Sequence, residues 1–141
     1  MHLRGFTVVK ISINKKDSEF DVSLLKPKDT LFPEFWENNI LNGEVSKRLL
    51  KISNSILKKL DLNLKIEDII LTGSICSYNW HEFSDIDLHV VLDFRTINED
   101  LELVKRMLDQ TRINWNKRHN IKIAGKEVEL YFQHLKIAML V

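Results

Sequence analysis

The chain has 141 residues, 44% of them hydrophobic and 29% charged, with a formal net charge of +1. That length buries one ordinary core, so a single compact unit is expected, and near-neutrality removes any global field that would attract nucleic acid or membrane. One cysteine, Cys76, excludes an internal disulfide framework. No apolar stretch approaches the roughly 18 to 20 residues of a membrane span, and the start MHLRGFTVV lacks the apolar run and small-residue cleavage site of a signal peptide. A cytoplasmic protein with no membrane partner is the expectation.

In chain order, GFTVVKISI is β-branched and aromatic enough for a strand, and the two prolines of KPKDTLFPEF mark a connector after it. Residues 1–32 are therefore read as an N-terminal extension and 33–141 as the core. Between Glu44 and Leu60, the residues Val45, Leu49, Ile52, Ile56 and Leu60 recur at helical spacing, with Leu50 and Leu57 widening the stripe. The opposite face of this helix carries Lys47, Arg48, Lys51, Lys58 and Lys59, an ordinary solvated face.

IEDIILTG reads as a short strand ended by Gly73, with Ser74 opening a helical turn over SICSYNWHEFS. DIDLHVVLDF alternates, placing Asp85, Asp87, His89 and Asp93 on one face and Ile86, Leu88, Val90 and Leu92 on the other. From Asn98 to about Lys117, a second stripe of Leu101, Val104, Leu108, Thr111 and Trp115 predicts a helix with an acidic first turn and a basic last one. IKIAGKEVELYF reads as two strands meeting at Ala124-Gly125, with Val128, Leu130 and Phe132 inward and Glu127, Glu129 and Tyr131 outward.

Two carboxylates at i and i+2 of a strand leave the same face with their Cα atoms roughly 6.5 to 7 Å apart, so Asp85 and Asp87 can converge on one cation. Taken alone, Asp-x-Asp is more often the wet side of a strand. Crowding argues the other way, because like charges 4 Å apart repel by about 4 kcal/mol at an effective dielectric of 20. Glu129 becomes a third member if its strand neighbours that of Asp85. Three carboxylates from two adjacent strands suit magnesium, which takes oxygen ligands and keeps room for substrate phosphates. Gly73-Ser74 follows a strand and opens a helical turn, an arrangement that lets phosphates approach backbone amides and a hydroxyl, or that is simply a helix cap.

The stretch LTGSICSYNWHEFSDIDLHVVLDF, with VEL of KEVELYF after it, resembles the signature of the DNA polymerase β nucleotidyltransferase superfamily. More closely, LTGS, SYNW, SDIDLH and EVELY resemble short phage-encoded nucleotidyltransferase-like proteins, over about residues 33–133. The resemblance implies an α/β (α+β) minimal nucleotidyltransferase fold, a mixed β-sheet flanked by helices. It implies that Gly73 and Ser74 bind a nucleoside triphosphate, that Asp85 and Asp87 ligate two magnesium ions, or manganese in their place, and that Glu129 ligates one and helps activate the attacking hydroxyl. The implied reaction moves a nucleoside monophosphate onto a hydroxyl of a nucleic acid, small molecule or protein, releasing pyrophosphate. The alternatives are a catalytically degenerate binding module on the same fold and nucleotidylation of a protein partner. If the chain is phage-encoded, its expected setting is the cytoplasm of a bacterial host.

This chain departs from many minimal members in having Ile75-Cys76-Ser77-Tyr78-Asn79-Trp80 where Ala-Arg-Gly follows Gly-Ser. The arginine that meets the triphosphate is missing, and Lys47, Arg48 and His81 are the candidates nearest in sequence to replace it. The end HLKIAMLV is shorter than the resembling sequences suggest. His89 reads as a satisfied surface histidine beside the site, Cys76 as a small packed residue, and Trp36, Trp80 and Trp115 as anchors rather than base-stacking platforms. The five histidines show no zinc-ligand spacing.

Overall fold

The computed structural model describes residues 3–5 and 27–136, and most of the predicted strand GFTVVKISI and the last five residues lie outside that range. Strand β1 (Leu3–Gly5) is followed by a two-residue hairpin, β2 (Trp36–Glu37) and β3 (Ile40–Leu41), and then by helix α1 (Gly43–Leu60). Strands β4 (Asp68–Thr72) and β5 (Ile86–Leu92) precede helix α2 (Leu101–Arg118), and β6 (Lys122–Ile123) and β7 (Lys126–His134) close the order. Short 3-10 turns sit at Ser74–Cys76 and Phe94–Thr96.

Local chemistry accounts for the helix ends. Asn42 caps α1 by accepting from the Glu44 amide, Lys58 and Lys59 occupy its last turn, and Asp61 closes it in the left-handed region at φ 51°. Val45, Leu49, Ile52 and Ile56 face the core as the spacing predicts. Helix α2 starts later than its stripe suggested. Asp100 caps it by accepting from the Leu103 amide, Asn98 turns back onto the Asp100 amide, and Leu101 stays 38% exposed at the first helical position.

Five strands form one sheet in the order β1-β4-β5-β7-β6. β1 runs parallel to β4, β4 antiparallel to β5, β5 parallel to β7, and β7 antiparallel to β6. The β6–β7 turn places Ala124 at φ 51° and Gly125 at φ 77°, the two successive positive angles a tight hairpin needs. Asn38 and Asn39 do the same for β2–β3, a hairpin that the sequence reading did not anticipate although Asn-Asn is suited to it.

Ile69, Leu71, Ile86, Leu88, Val90, Leu92, Val128, Leu130 and Phe132 share one core with the inward residues of α1 and α2, which places both helices on one face of the sheet. The connector also reaches that core through Phe32 and Phe35, and the Lys28 amide donates to the Tyr78 carbonyl. On the open edge of β7 the Val128 amide still donates to the Ile121 carbonyl, and beyond it the Asn116 side chain takes over by donating to the Leu130 carbonyl and accepting from the Leu130 amide. Among the described residues no helix is long and apolar enough to cross a membrane.

Candidate active site

The register puts Asp87 directly opposite Glu129, and Thr72 opposite Asp87 from the other side. Registered neighbours on adjacent strands lie about 4.8 Å apart and point the same way, so Thr72, Asp87 and Glu129 form one row on the face away from the helices. His89 and Tyr131 form the next row, with their rings stacked at 5.0 Å. Asp85 lies one residue before β5, so the strand begins between the two aspartates. The neighbouring strand that Glu129 required is therefore present.

Charge crowding shows in the protonation of these groups. Burial, then the charges of Glu129 and Asp85, push the Asp87 carboxyl up to about 6. Asp85 is raised by burial, Glu127 and Glu129, while Lys126 and His81 pull it down. Burial, then the charges of Glu129 and Asp87, push the Tyr131 hydroxyl up to about 12, and its interaction with the Glu129 carboxylate adds to the shift. Burial and then the Arg112 charge lower His89, whose Nε2 lies 3.0 Å from the Thr72 hydroxyl.

Gly73 closes the site from the β4 side at φ 95°. A Cβ there would lie 3.1 Å from the Asp87 carboxylate, so glycine answers both the backbone angle and the close approach of that carboxylate. Ser74 opens the 3-10 turn, and its hydroxyl is 2.6 Å from that of Ser84, which is buried and also accepts from the His81 amide. This hydroxyl pair ties the Gly-Ser turn to the residue just before Asp85.

Among the described residues no group of three or more His, Cys, Asp or Glu side chains is placed to hold a metal ion. Magnesium sites keep waters and substrate oxygens, so the protein supplies only part of the shell. What the residues supply is the donor type a divalent cation takes, hard carboxylate oxygens, with Asp87 and Glu129 registered on neighbouring strands and burial and crowding raising Asp87 to about 6.

The other candidates separate from this face. Asp93 lies past the strand, caps the Phe94–Thr96 turn and pairs with Arg95 at 2.8 Å instead of joining the acidic row. Lys47 pairs with Glu44, and the Arg48 guanidinium donates to the Lys122 carbonyl, whereas His81 lies within electrostatic reach of Asp85. Cys76 is buried, and the indoles of Trp36 and Trp80 donate to the Ile75 and Thr30 carbonyls. Trp115 is buried under His119 at 3.8 Å. The sequence reading missed Ser84, Lys126 and Arg112. The 81–84 loop brings Ser84, the β6–β7 hairpin brings Lys126, and helix α2 beside the edge of β7 brings Arg112 over the Tyr131 ring.

A mixed sheet with an acidic row at the start of a central strand, on the face away from the core, defines an α+β scaffold that presents carboxylates on its open side. The chain belongs to the nucleotidyltransferase domain family, whose model matches residues 49–136. That span runs from α1 through β7 and includes Gly73, Ser74, Asp85, Asp87 and Glu129. No curated protein and no solved structure matches the chain. Nucleotidyl transfer from a nucleoside triphosphate is accordingly the class of activity the family implies.

Proposed function

We propose that the chain transfers a nucleoside monophosphate from a nucleoside triphosphate to a hydroxyl acceptor, with Asp85, Asp87 and Glu129 holding two magnesium ions. The supporting observation is the registered pair Asp87–Glu129 on parallel strands, with Asp85 two residues upstream of Asp87. When bound, the ions would stabilise charge on the attacking and leaving oxygens. The acceptor oxygen attacks the α-phosphorus, the bond to the bridging oxygen of the β-phosphate breaks, and pyrophosphate leaves. Glu129 takes up the acceptor proton, and the Tyr131 hydroxyl orients that carboxylate. Gly73 leaves room beside Asp87 for the phosphate chain, and Ser74 lines the same turn.

Incubation with labelled triphosphates, magnesium and RNA, small hydroxylated or protein acceptors tests this reading. Label is expected to move to one acceptor class and to stop moving in Asp85→Asn and Asp87→Asn. If no acceptor is labelled and both variants behave as the parent protein, the catalytic reading is lost. A nucleotide-binding module without turnover is the second reading. It is favoured by the stretch Ile75-Cys76-Ser77-Tyr78-Asn79-Trp80 after Gly73-Ser74, which lacks the arginine that meets the triphosphate in many minimal members. Calorimetry distinguishes it, because such a module takes up triphosphate with magnesium and returns it intact.

A further inference from the structure

A string of hydrogen bonds leads from the Gly-Ser turn to β7. The Ser74 and Ser84 hydroxyls meet at 2.6 Å, the His81 amide donates to Ser84, and the Lys126 ammonium donates to the carbonyls of His81 at 3.1 Å and Glu82 at 2.7 Å. An ammonium has three N–H donors, so one remains beyond these two bonds, together with the full charge. The same ammonium stands 5.4 Å from the centre of the Phe32 ring, whose face holds it over the 81–84 loop.

The charge balance of the proposed reaction asks for such a group. Three carboxylates and a triphosphate bring about seven negative charges, of which two magnesium ions offset about four. Among the described residues, Lys126 is the lysine whose charge reaches Asp85, and it also reaches His81. Arg112 sits at the other end of the row. Its guanidinium lies 4.6 Å over the Tyr131 ring and 3.8 Å from Asp109, and its charge reaches His89. The Gly-Ser turn and Lys126 therefore share one end of the carboxylate row, and Arg112 marks the other.

We infer that Lys126 receives the terminal phosphates of the triphosphate, supplying from β7 the positive charge that the Gly-Ser turn of this chain lacks. This rests on the proposed nucleotidyl transfer. The two carbonyl bonds fix the ammonium in place, so little side-chain freedom is lost when a phosphate oxygen takes the third donor.

The test measures equilibrium binding of a nonhydrolysable triphosphate and of the matching monophosphate, both with magnesium, to the parent protein and to Lys126→Gln. Glutamine keeps an amide that can donate to the loop carbonyls but removes the charge. Triphosphate affinity is expected to fall about 10- to 100-fold, as for loss of a charged hydrogen bond, while monophosphate affinity stays at the parent level. If the parent protein binds no triphosphate, the underlying functional reading fails and this inference fails with it. If the parent binds and Lys126→Gln binds triphosphate equally well, or loses both nucleotides to the same degree, Lys126 is no more than a loop clamp and the inference is overturned. A second measurement needs no variant. Acylation of Lys126 in the parent protein, followed by mass spectrometry, is expected to be blocked by magnesium triphosphate and not by monophosphate. Unchanged reactivity under saturating triphosphate would overturn the assignment.

Discussion

The two faces of β5 are made from alternate residues of one strand and obey opposite energetics. Toward the helices, Ile86, Leu88, Val90 and Leu92 are 0 to 1% exposed, each burial contributing about 1.5–3 kcal/mol. On the other face Asp87 is half-buried against Glu129 and Asp85, and its ionised form is disfavoured. One face lowers the free energy of folding and the other raises it. The difference teaches that the acidic row is not a by-product of an amphipathic strand, since exposed polar residues without mutual repulsion would cover that face at lower cost.

The comparison breaks most visibly at the carboxylates. Asp87→Asn is expected to lower nucleotidyl transfer by on the order of a thousandfold or more while leaving thermal stability equal or higher, measured by label transfer and by melting. A stability loss of the kind seen for core residues would contradict the account. Leu88→Ala, on the opposite face, is expected to cost about 2–5 kcal/mol in denaturant unfolding while the remaining folded protein keeps its activity. Asn116→Ala, which removes both bonds to the open edge of β7, is expected to cost about 1–2 kcal/mol in the same assay.

A smaller effect comes from pH. Asp87 holds its proton to about 6 in the folded chain, against 3.8 for an unperturbed carboxyl. Between those values the unfolded state binds fewer protons, so stability falls as pH rises from about 4 to about 6. After solvent screening the loss is on the order of 1 kcal/mol, and Asp87→Asn should flatten that part of the profile in metal-free protein. Tyr131→Phe is the mildest change. It should slow transfer several-fold through the loosened Glu129 carboxylate and leave stability within about 0.5 kcal/mol.

Much of the fold was legible because burial imposes periodicity. Val45, Leu49, Ile52 and Ile56 announce α1, the alternation from Asp85 to Leu92 announces β5, and Ala124-Gly125 announces the last hairpin. The start of α2 was misplaced by the acidic run from Glu99, because the true cap is the Asp100 side chain and Asn98 closes the preceding turn. Asp93 was assigned to the acidic face by alternation alone, and the strand ends before it. Pairing is what the sequence carries least openly. The register of Asp87 on Glu129, the Ser74–Ser84 bond and the reach of Lys126 to the 81–84 loop all join segments at least ten residues apart, with no local signal.

The most direct test of the carboxylate row is a crystal structure of the protein with a nonhydrolysable triphosphate and manganese in place of magnesium, read by anomalous scattering. The account predicts an ion about 2.0–2.2 Å from carboxylate oxygens of both Asp85 and Asp87, with the triphosphate lying between Gly73 and Lys126. A triphosphate bound elsewhere, or an anomalous peak away from these two aspartates, would contradict it.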